Sequence, residues 1–444
     1  MRGFLASSIG VTCAAALALP LTLPAAAVPA EAPARAAQST SGARSAPPAV
    51  APPAAAPDLP GSTQSLPLTP TTRDRTLGAA PEQGLTRDAV HRFSLVGVTW
   101  TDPGTELRGR VQVRTRATGT GEWSGWQDVD THNEDHGADP GTAERDSGRV
   151  HGSTAPLWVG DSDGVDVRVR ADPPTTRAVG GGPSPLPAGL HLELVDPGGE
   201  APAVAARATA RRAAPPLAAT ELPALSRAAT EREAVTLYGR SQPYIGPRPR
   251  IITRRGWGAD EKLREKGFVY TKKVKAVFVH HTATGNNYSC SQAPSVIRGI
   301  YRYHVRSSGW RDIGYNFLVD KCGNIYEGRA GGVAKPVMGA HTLGFNTDSM
   351  GIAVLGTFGT AKPSSAAVTA IARLAAWKLG LYGVNPRGKT YLKSAGGNLY
   401  RKGKNVRLNA ISGHRDGFAT ECPGRQLYGK LGSARSTSAR FQGR

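Results

Sequence analysis

The segment KAVFVH, residues 275–280, ends an apolar run in a pair of imidazoles, His280 and His281. Far downstream, His414 follows Ile411, Ser412 and Gly413, and Cys422 comes eight residues later, directly before Pro423. Two imidazoles and a thiolate suit Zn2+. Three protein ligands leave a fourth position for water, the arrangement of catalytic rather than structural zinc. Such an ion brings the pKa of its water toward ~7 and polarises a substrate carbonyl. Adjacent strand residues point to opposite faces, so one of His280 and His281 is the ligand and the other is not. Proline favours the first helical position, which predicts Cys422 at an N-cap, where the helix dipole would favour the thiolate. The spacing matches no short zinc motif, however. Two satisfied histidines and a buried thiol fit it as well, so residue types alone leave the chemistry open.

The elements around these residues read as α/β. Residues 275–280 form a short buried strand, and 351–356 form another central one. Residues 291–305 predict an amphipathic helix with Val296, Ile300 and Tyr303 on one side. Residues 315–320 and 325–327 predict a hairpin around the turn 321–324. A helix over 365–379 carries Val368, Ile371, Ala375 and Leu379 at helical spacing, with Gly380 as its stop. Active-site groups of α/β sheets sit at strand ends, as His280 and His414 do here. The earlier part of the chain has a different texture. Residues 93–100, 107–116, 165–170 and 190–195 alternate apolar and polar residues between Gly, Pro and Asp clusters, which predicts an all-β, sandwich-like domain. Trp100, Trp123, Trp126 and Trp158 all lie in it.

The 444 residues therefore divide as a signal peptide (1–30), an Ala/Pro-rich disordered linker (31–88), the β-domain (89–198), a second linker (199–234) and the α/β domain (235–444). Arg2, the apolar run 9–23 and the small residues Ala25, Ala26, Ala27 and Ala30 carry the signal reading; Pro20 and Pro24 break the run and argue against a membrane anchor. No later stretch is apolar enough to span a bilayer. These features predict a secreted protein, extracellular or associated with a cell wall. Loss of Cys13 with the signal would leave Cys290, Cys322 and Cys422. In an oxidising compartment two of these pair and one needs another reason to exist, such as metal ligation. A net charge of +21 favours anionic partners. No helix-turn-helix, RNA-binding or zinc-finger spacing accompanies it, so the expected partners are anionic wall polymers rather than nucleic acid.

The blocks FVHHTAT (278–284), GWRDIGYNFLVD (309–320), YEGR (326–329), GAHTLGFN (339–346), MGIAVLG (350–356) and GHRDGFATECPG (413–424) stand in the order seen in peptidoglycan recognition proteins, relatives of phage-lysozyme-type N-acetylmuramoyl-L-alanine amidases. The resemblance covers about 240–435 and includes TRRGWGAD (253–260) upstream. It implies a mixed central sheet flanked by helices, with peptidoglycan and its muropeptides as partners. It also implies zinc-dependent hydrolysis of the amide between N-acetylmuramic acid and L-alanine. His280, His414 and Cys422 would be the zinc ligands. Tyr315 and Thr420 would be hydrogen-bond donors to the developing oxyanion, and His304, His341 and Asn346 would line the muropeptide groove. Family members that only bind peptidoglycan lack the cysteine, so Cys422 favours an enzyme over the alternative, a non-catalytic binding module. The central strand (Gly351, Ile352, Ala353, Val354) lacks the glutamate that some zinc amidases use as a base, and Glu327 reads as structural. Cys290 and Cys322 are expected to pair.

Three further features read as inert. Asp161, Asp163 and Asp166 lack the glycine and glutamate spacing of a calcium loop and predict a solvated turn. The acidic run 128–146, with His132 and His136, reads as a solvated loop with a cation site as its alternative. The tryptophans read as core, with a sugar-stacking platform as theirs.

Overall fold

The computed structural model describes residues 61–71, 81–173, 185–199, 219–240 and 242–444, so the expected signal peptide and much of both expected linkers lie outside the described residues. All described residues belong to one compact unit, residues 56–444.

The β-domain is organised around one long strand, Leu157–Ala171. Its first part pairs with Phe93–Trp100, and its second part lies between Glu82–Arg87 and Gly109–Ala117. His191–Asp196 and Ser62–Pro67 extend the sheet beyond Phe93–Trp100. Val165, Val167, Val169, Val111 and Val113 from one side meet Val96, Val98, Leu192 and Leu194 from the other in a single core. Strands 62–67 and 82–87 fall inside the stretch expected to be linker. Their apolar residues are few, Leu66 and Leu85, and pairing rather than hydrophobic alternation holds them. Asp161, Asp163 and Asp166 are strand residues paired with Arg92, Arg116 and Arg114, not a turn. Trp100 and Trp158 are buried, whereas Trp123 and Trp126 lie on the surface with Arg114 and Arg168 over their rings.

The α/β domain has a mixed seven-stranded sheet. Ala276–His281 is an inner strand, next to the last in the sheet, parallel to Ser349–Val354 on one side and to the edge strand Ile411–Gly413 on the other. Phe317–Val319 continues the sheet parallel to Ser349–Val354 and pairs antiparallel with Ile325–Glu327, the expected hairpin. Both faces of the central strands are covered, so every residue of Ala276–His281 and Ser349–Val354 is buried. Helix Ser365–Leu381 covers one face with Ile371, Leu374 and Ala375. Gly380 does not stop it. That glycine lies inside the helix, because a Cβ there would sit 2.8 Å from the Ile245 backbone. Part of the expected second linker is folded too, as helix Arg227–Tyr238 with Ser226 as its N-cap. Helix Ala293–Arg302 covers the other sheet face and ends in a wide turn, Tyr303–Ser307.

The two domains share a core. Strand Phe93–Trp100 is buried at all eight positions. Alternation sends Val96 and Val98 into the β-core while Leu95, with Trp158 and Val195, packs among Val296, Ile300 and Tyr303 of the α/β domain. Polar ties reinforce the seam. Tyr303 donates to Thr154 O (3.1 Å), Ser307 to Glu193 Oε2 (2.9 Å), and the Trp158 amide to Thr284 O (3.1 Å).

Cys290 and Cys322 form a disulfide across 32 residues, joining the start of helix Ala293–Arg302 to the hairpin turn. In the chain-entropy account a loop of that size contributes about 3 to 4 kcal/mol. The double variant Cys290→Ser, Cys322→Ser should lose that much in denaturant unfolding, and an unchanged midpoint would show that the bond contributes no stability.

Candidate metal centre

His280 and His414 reach one point because their strands lie side by side, Val279 opposite Gly413. His280 Nδ1 is 3.1 Å from His414 Nδ1 and 3.8 Å from Cys422 Sγ. Ligands about 2.0 to 2.3 Å from a tetrahedral zinc stand roughly 3.3 to 3.8 Å apart; the 3.8 Å separation lies in that range and the 3.1 Å separation is slightly short of it, so a small spreading of the two rings would admit such an ion. The second histidine of the pair, His281, has its Nδ1 3.3 Å from the Phe358 amide instead. Burial, followed by the neighbouring imidazoles, keeps the basicity of His280 well below the ordinary value. His414 is lowered to about 3, by burial first and against the pull of Asp135. Both rings are thus neutral, the form that ligates. His414 Nε2 lies 3.2 Å from Asp135 O, an acceptor only; this leaves the Nδ1 lone pair for a metal.

Cys422 is not an N-cap. The next helix is Arg425–Tyr428 with Gly424 as its cap, so Pro423 falls before the helix rather than at its first turn. Burial, and then the Asp135 carboxylate, push the Cys422 thiol well above its usual value. Without a helix dipole, a cation at the site would be the strongest influence in favour of the thiolate.

Tyr315 and Thr420 border this point. The Tyr315 ring centroid is 5.6 Å from that of His280. Burial, then Cys422 and Asp135, hold its hydroxyl protonated far above the ordinary tyrosine range. Thr420 Oγ1 accepts from the Cys422 amide at 3.1 Å. Tyr315, Thr420, Cys422, His136 and His281 line one crevice.

The three residues expected to line the muropeptide groove are covered in this structure. His304, His341 and Asn346 are all buried. His304 stacks at 4.3 Å on Trp310 and accepts from the Gly314 amide. His341 sits 5.2 Å from the His280 ring. Asn346 Oδ1 accepts from the His341 and Thr342 amides. What covers Asn346 is the β-domain: its Nδ2 donates to Gly137 O (2.9 Å) and Asp139 Oδ1 (2.7 Å). Glu327 accepts from the Arg254 amide (3.3 Å), consistent with a structural role.

The acidic run is where the sequence reading missed the site. It is not a solvated loop. Asp135, His136, Asp139 and Glu144 are buried, and ligand atoms of His136, His280, His414 and Cys422 all lie within 4.8 Å of one another. His136 Nδ1 is 2.7 Å from Asp135 Oδ1, while its Nε2 is buried without a hydrogen-bond partner. Asp135 stays ionised despite its burial because His136 and His414 hold its carboxyl far below the usual range. The available signal was two histidines in an acid-rich stretch of a domain with no chemistry of its own. Nothing in the sequence places that stretch beside His280, 144 positions away.

Comparison with known proteins agrees with this architecture. Residues 270–425 match the family described as N-acetylmuramoyl-L-alanine amidase, and residues 48–210 match the one described as Rv3811 N-terminal galactose-binding domain-like. Peptidoglycan-recognition protein SC2 of Drosophila melanogaster is 32% identical over 183 residues, 41% of this chain and 84% of its own length. Peptidoglycan-recognition protein SC1a of the same organism is 36% identical over 187 residues, 41% of this chain and 83% of its own length. Among solved structures, Drosophila PGRP-LB aligns over 41% of this chain and 92% of its own at 27% identity, with a TM-score of 0.33. Peptidoglycan recognition protein-LE in complex with tracheal cytotoxin aligns over 41% and 92% at 33% identity, with a TM-score of 0.32. The chain belongs to the peptidoglycan-recognition protein family.

Proposed function

We propose that this protein is a zinc-dependent N-acetylmuramoyl-L-alanine amidase that acts on peptidoglycan. The observation that carries this reading is the convergence of two neutral imidazoles, His280 and His414, with the thiol of Cys422 at near-tetrahedral spacing. A purely recognising module has no need of such a donor set, and Cys422 supports turnover over binding alone. The names of the relatives and the matching amidase family support peptidoglycan as the substrate class.

His280, His414 and Cys422 would hold the zinc, which when bound supplies Lewis-acid polarisation of a carbonyl and activation of water. The protonated Tyr315 hydroxyl would donate to the carbonyl oxygen as negative charge develops there. Thr420, turned toward the same crevice, would be a second donor. The disulfide supports a site of action outside the reducing cytosol, as the expected signal and secretion require. Among the described residues no helix is long and apolar enough to cross a membrane.

The test is digestion of purified peptidoglycan by the zinc-loaded chain, followed by mass spectrometry for stem peptides with a free L-alanine amine. Binding to the wall with no release, by the parent and by the loop variants described below, would replace the enzyme reading with the recognition one. Tyr315→Phe keeps the ring and its packing but removes the hydroxyl. It should slow release about 10- to 1000-fold with zinc still bound, the range that single oxyanion donors contribute elsewhere. Parent-like turnover would take Tyr315 out of the reaction.

A further inference from the structure

The β-domain sends one loop, residues 130–151 between strands Gln127–Val129 and Gly152–Ser153, across the candidate metal centre. The loop is gripped along its length by the sequence blocks expected to receive substrate. Asp135 O accepts from the Leu343 amide (2.9 Å), and the Gly137 amide donates to Ala340 O (3.2 Å). Asp139 Oδ1 accepts from Asn346 Nδ2 (2.7 Å) and the Gly344 amide (2.8 Å). Glu144 forms a buried two-pronged ion pair with Arg329, both contacts 2.9 Å. Peptide backbone and carboxylates therefore fill the groove, the same groups that a peptide substrate with acidic groups would bring.

His136 is the residue that reaches furthest in. Its side chain is only 7% exposed, and Asp135 Oδ1 sits on its Nδ1. A carboxylate accepts only, so Nδ1 carries a proton, and Nε2 is the nitrogen that a neutral ring would offer to a metal. That Nε2 has no hydrogen-bond partner, and a buried imidazole nitrogen left unpaired is costly. A metal held by His280, His414 and Cys422 would satisfy it. A fourth protein ligand also takes the position that a catalytic zinc keeps open for water.

We infer that loop 130–151 is a built-in inhibitor: His136 caps the metal as its fourth ligand, Asp139 and Glu144 hold the loop in the peptide groove, and the chain is latent until the loop withdraws. This rests on the metal-hydrolase reading above. Because the loop is tethered, it competes at an effective concentration on the order of millimolar. Soluble fragments therefore bind weakly, with an affinity reduced by the fraction of molecules that are open.

The test uses the full chain with Co2+ as the spectroscopic probe and a soluble muropeptide as the ligand. In the parent, the visible spectrum of Co2+ should not change across neutral pH, because no exchangeable water is bound. His136→Ala should make the spectrum pH-dependent and weaken metal binding at least ~10-fold, the lower end of what even outer-shell partners cost. Asp139→Ala leaves all four proposed ligands in place but removes the acceptor for the Gly344 amide and one of the two for Asn346. Both variants should bind muropeptide at least ~10-fold more tightly than the parent and release stem peptides faster, with thermal unfolding confirming that they fold. Metal bound with identical spectra in parent and His136→Ala, or muropeptide affinity that is equal or weaker in both variants, overturns the inhibitor. If neither parent nor variants bind metal, the hydrolase reading fails instead, and the muropeptide affinity of Asp139→Ala still decides whether the loop blocks the groove.

Discussion

Cys422→Ser should strip the protein of zinc. The serine hydroxyl stays protonated near neutral pH and offers no soft anion, whereas the thiol can ionise once a cation offsets its burial. We expect the affinity to fall by more than about 100-fold, beyond the 10- to 100-fold that loss of an outer-shell partner costs. Amidase activity should disappear with the metal. The substitution is nearly isosteric, so the fold should persist. Metal analysis on monodisperse protein checks the prediction, and one retained equivalent of zinc with unaltered release of stem peptides would refute the ligand set. The parent should also bind zinc more tightly as pH rises, because the buried Cys422 thiol, raised well above its usual range, must give up a proton.

Arg254→Ala should be the most destabilising single change outside the metal centre. The residue is 5% exposed, and its guanidinium donates to Glu261 (2.7 Å), Asp312 (3.1 Å) and Gly328 O (2.6 Å), with the Tyr301 and Trp257 rings beside it. Removal leaves the buried Asp312 carboxylate without its cation. Breaking a buried pair from one side costs about 3 to 5 kcal/mol. Asp312 also accepts from the Ile313 and Ala330 amides, so its loss of support loosens the approach to Tyr315. Denaturant unfolding should show the drop. Arg254→Lys should recover little of it, since one ammonium cannot reproduce three diverging donors. A midpoint close to the parent's would show that Asp312 finds a replacement partner.

The sequence was most informative where one element faces one core. KAVFVH reads as a buried strand and is one, and the blocks around His280, Tyr315 and Cys422 converge. It was least informative where a residue answers to a distant neighbour. Residues 93–100 read as an alternating strand with apolar and polar residues, yet all eight positions are buried; a Cβ on Gly97 would lie 2.3 Å from the Tyr303 hydroxyl. Small and polar residues on a strand do not reveal whether water or another domain lies opposite. The acidic loop misled for the same reason. Charge suggests hydration, but Glu144 is matched by Arg329 and Asp139 by Asn346, partners roughly 200 positions away. Cys422 misled locally, because the helix begins after Gly424 rather than at Pro423.

The shared seam has a consequence for modularity. In the two Drosophila relatives SC2 and SC1a the aligned stretch makes up more than four-fifths of the protein, which leaves little chain there for a second domain of this kind. Here the outer side of helix Ala293–Arg302 no longer faces water: Leu95, Trp158 and Val195 lie against it. To lift the β-domain away bodily would expose Val296, Ile300 and Tyr303 together. Each large apolar side chain returned to water costs on the order of 1.5 to 3 kcal/mol. The halves are therefore not beads on a string but one cooperative body, and uncovering the metal centre calls for a local movement: the strands of the β-domain stay fixed while the loop between them gives up its buried contacts.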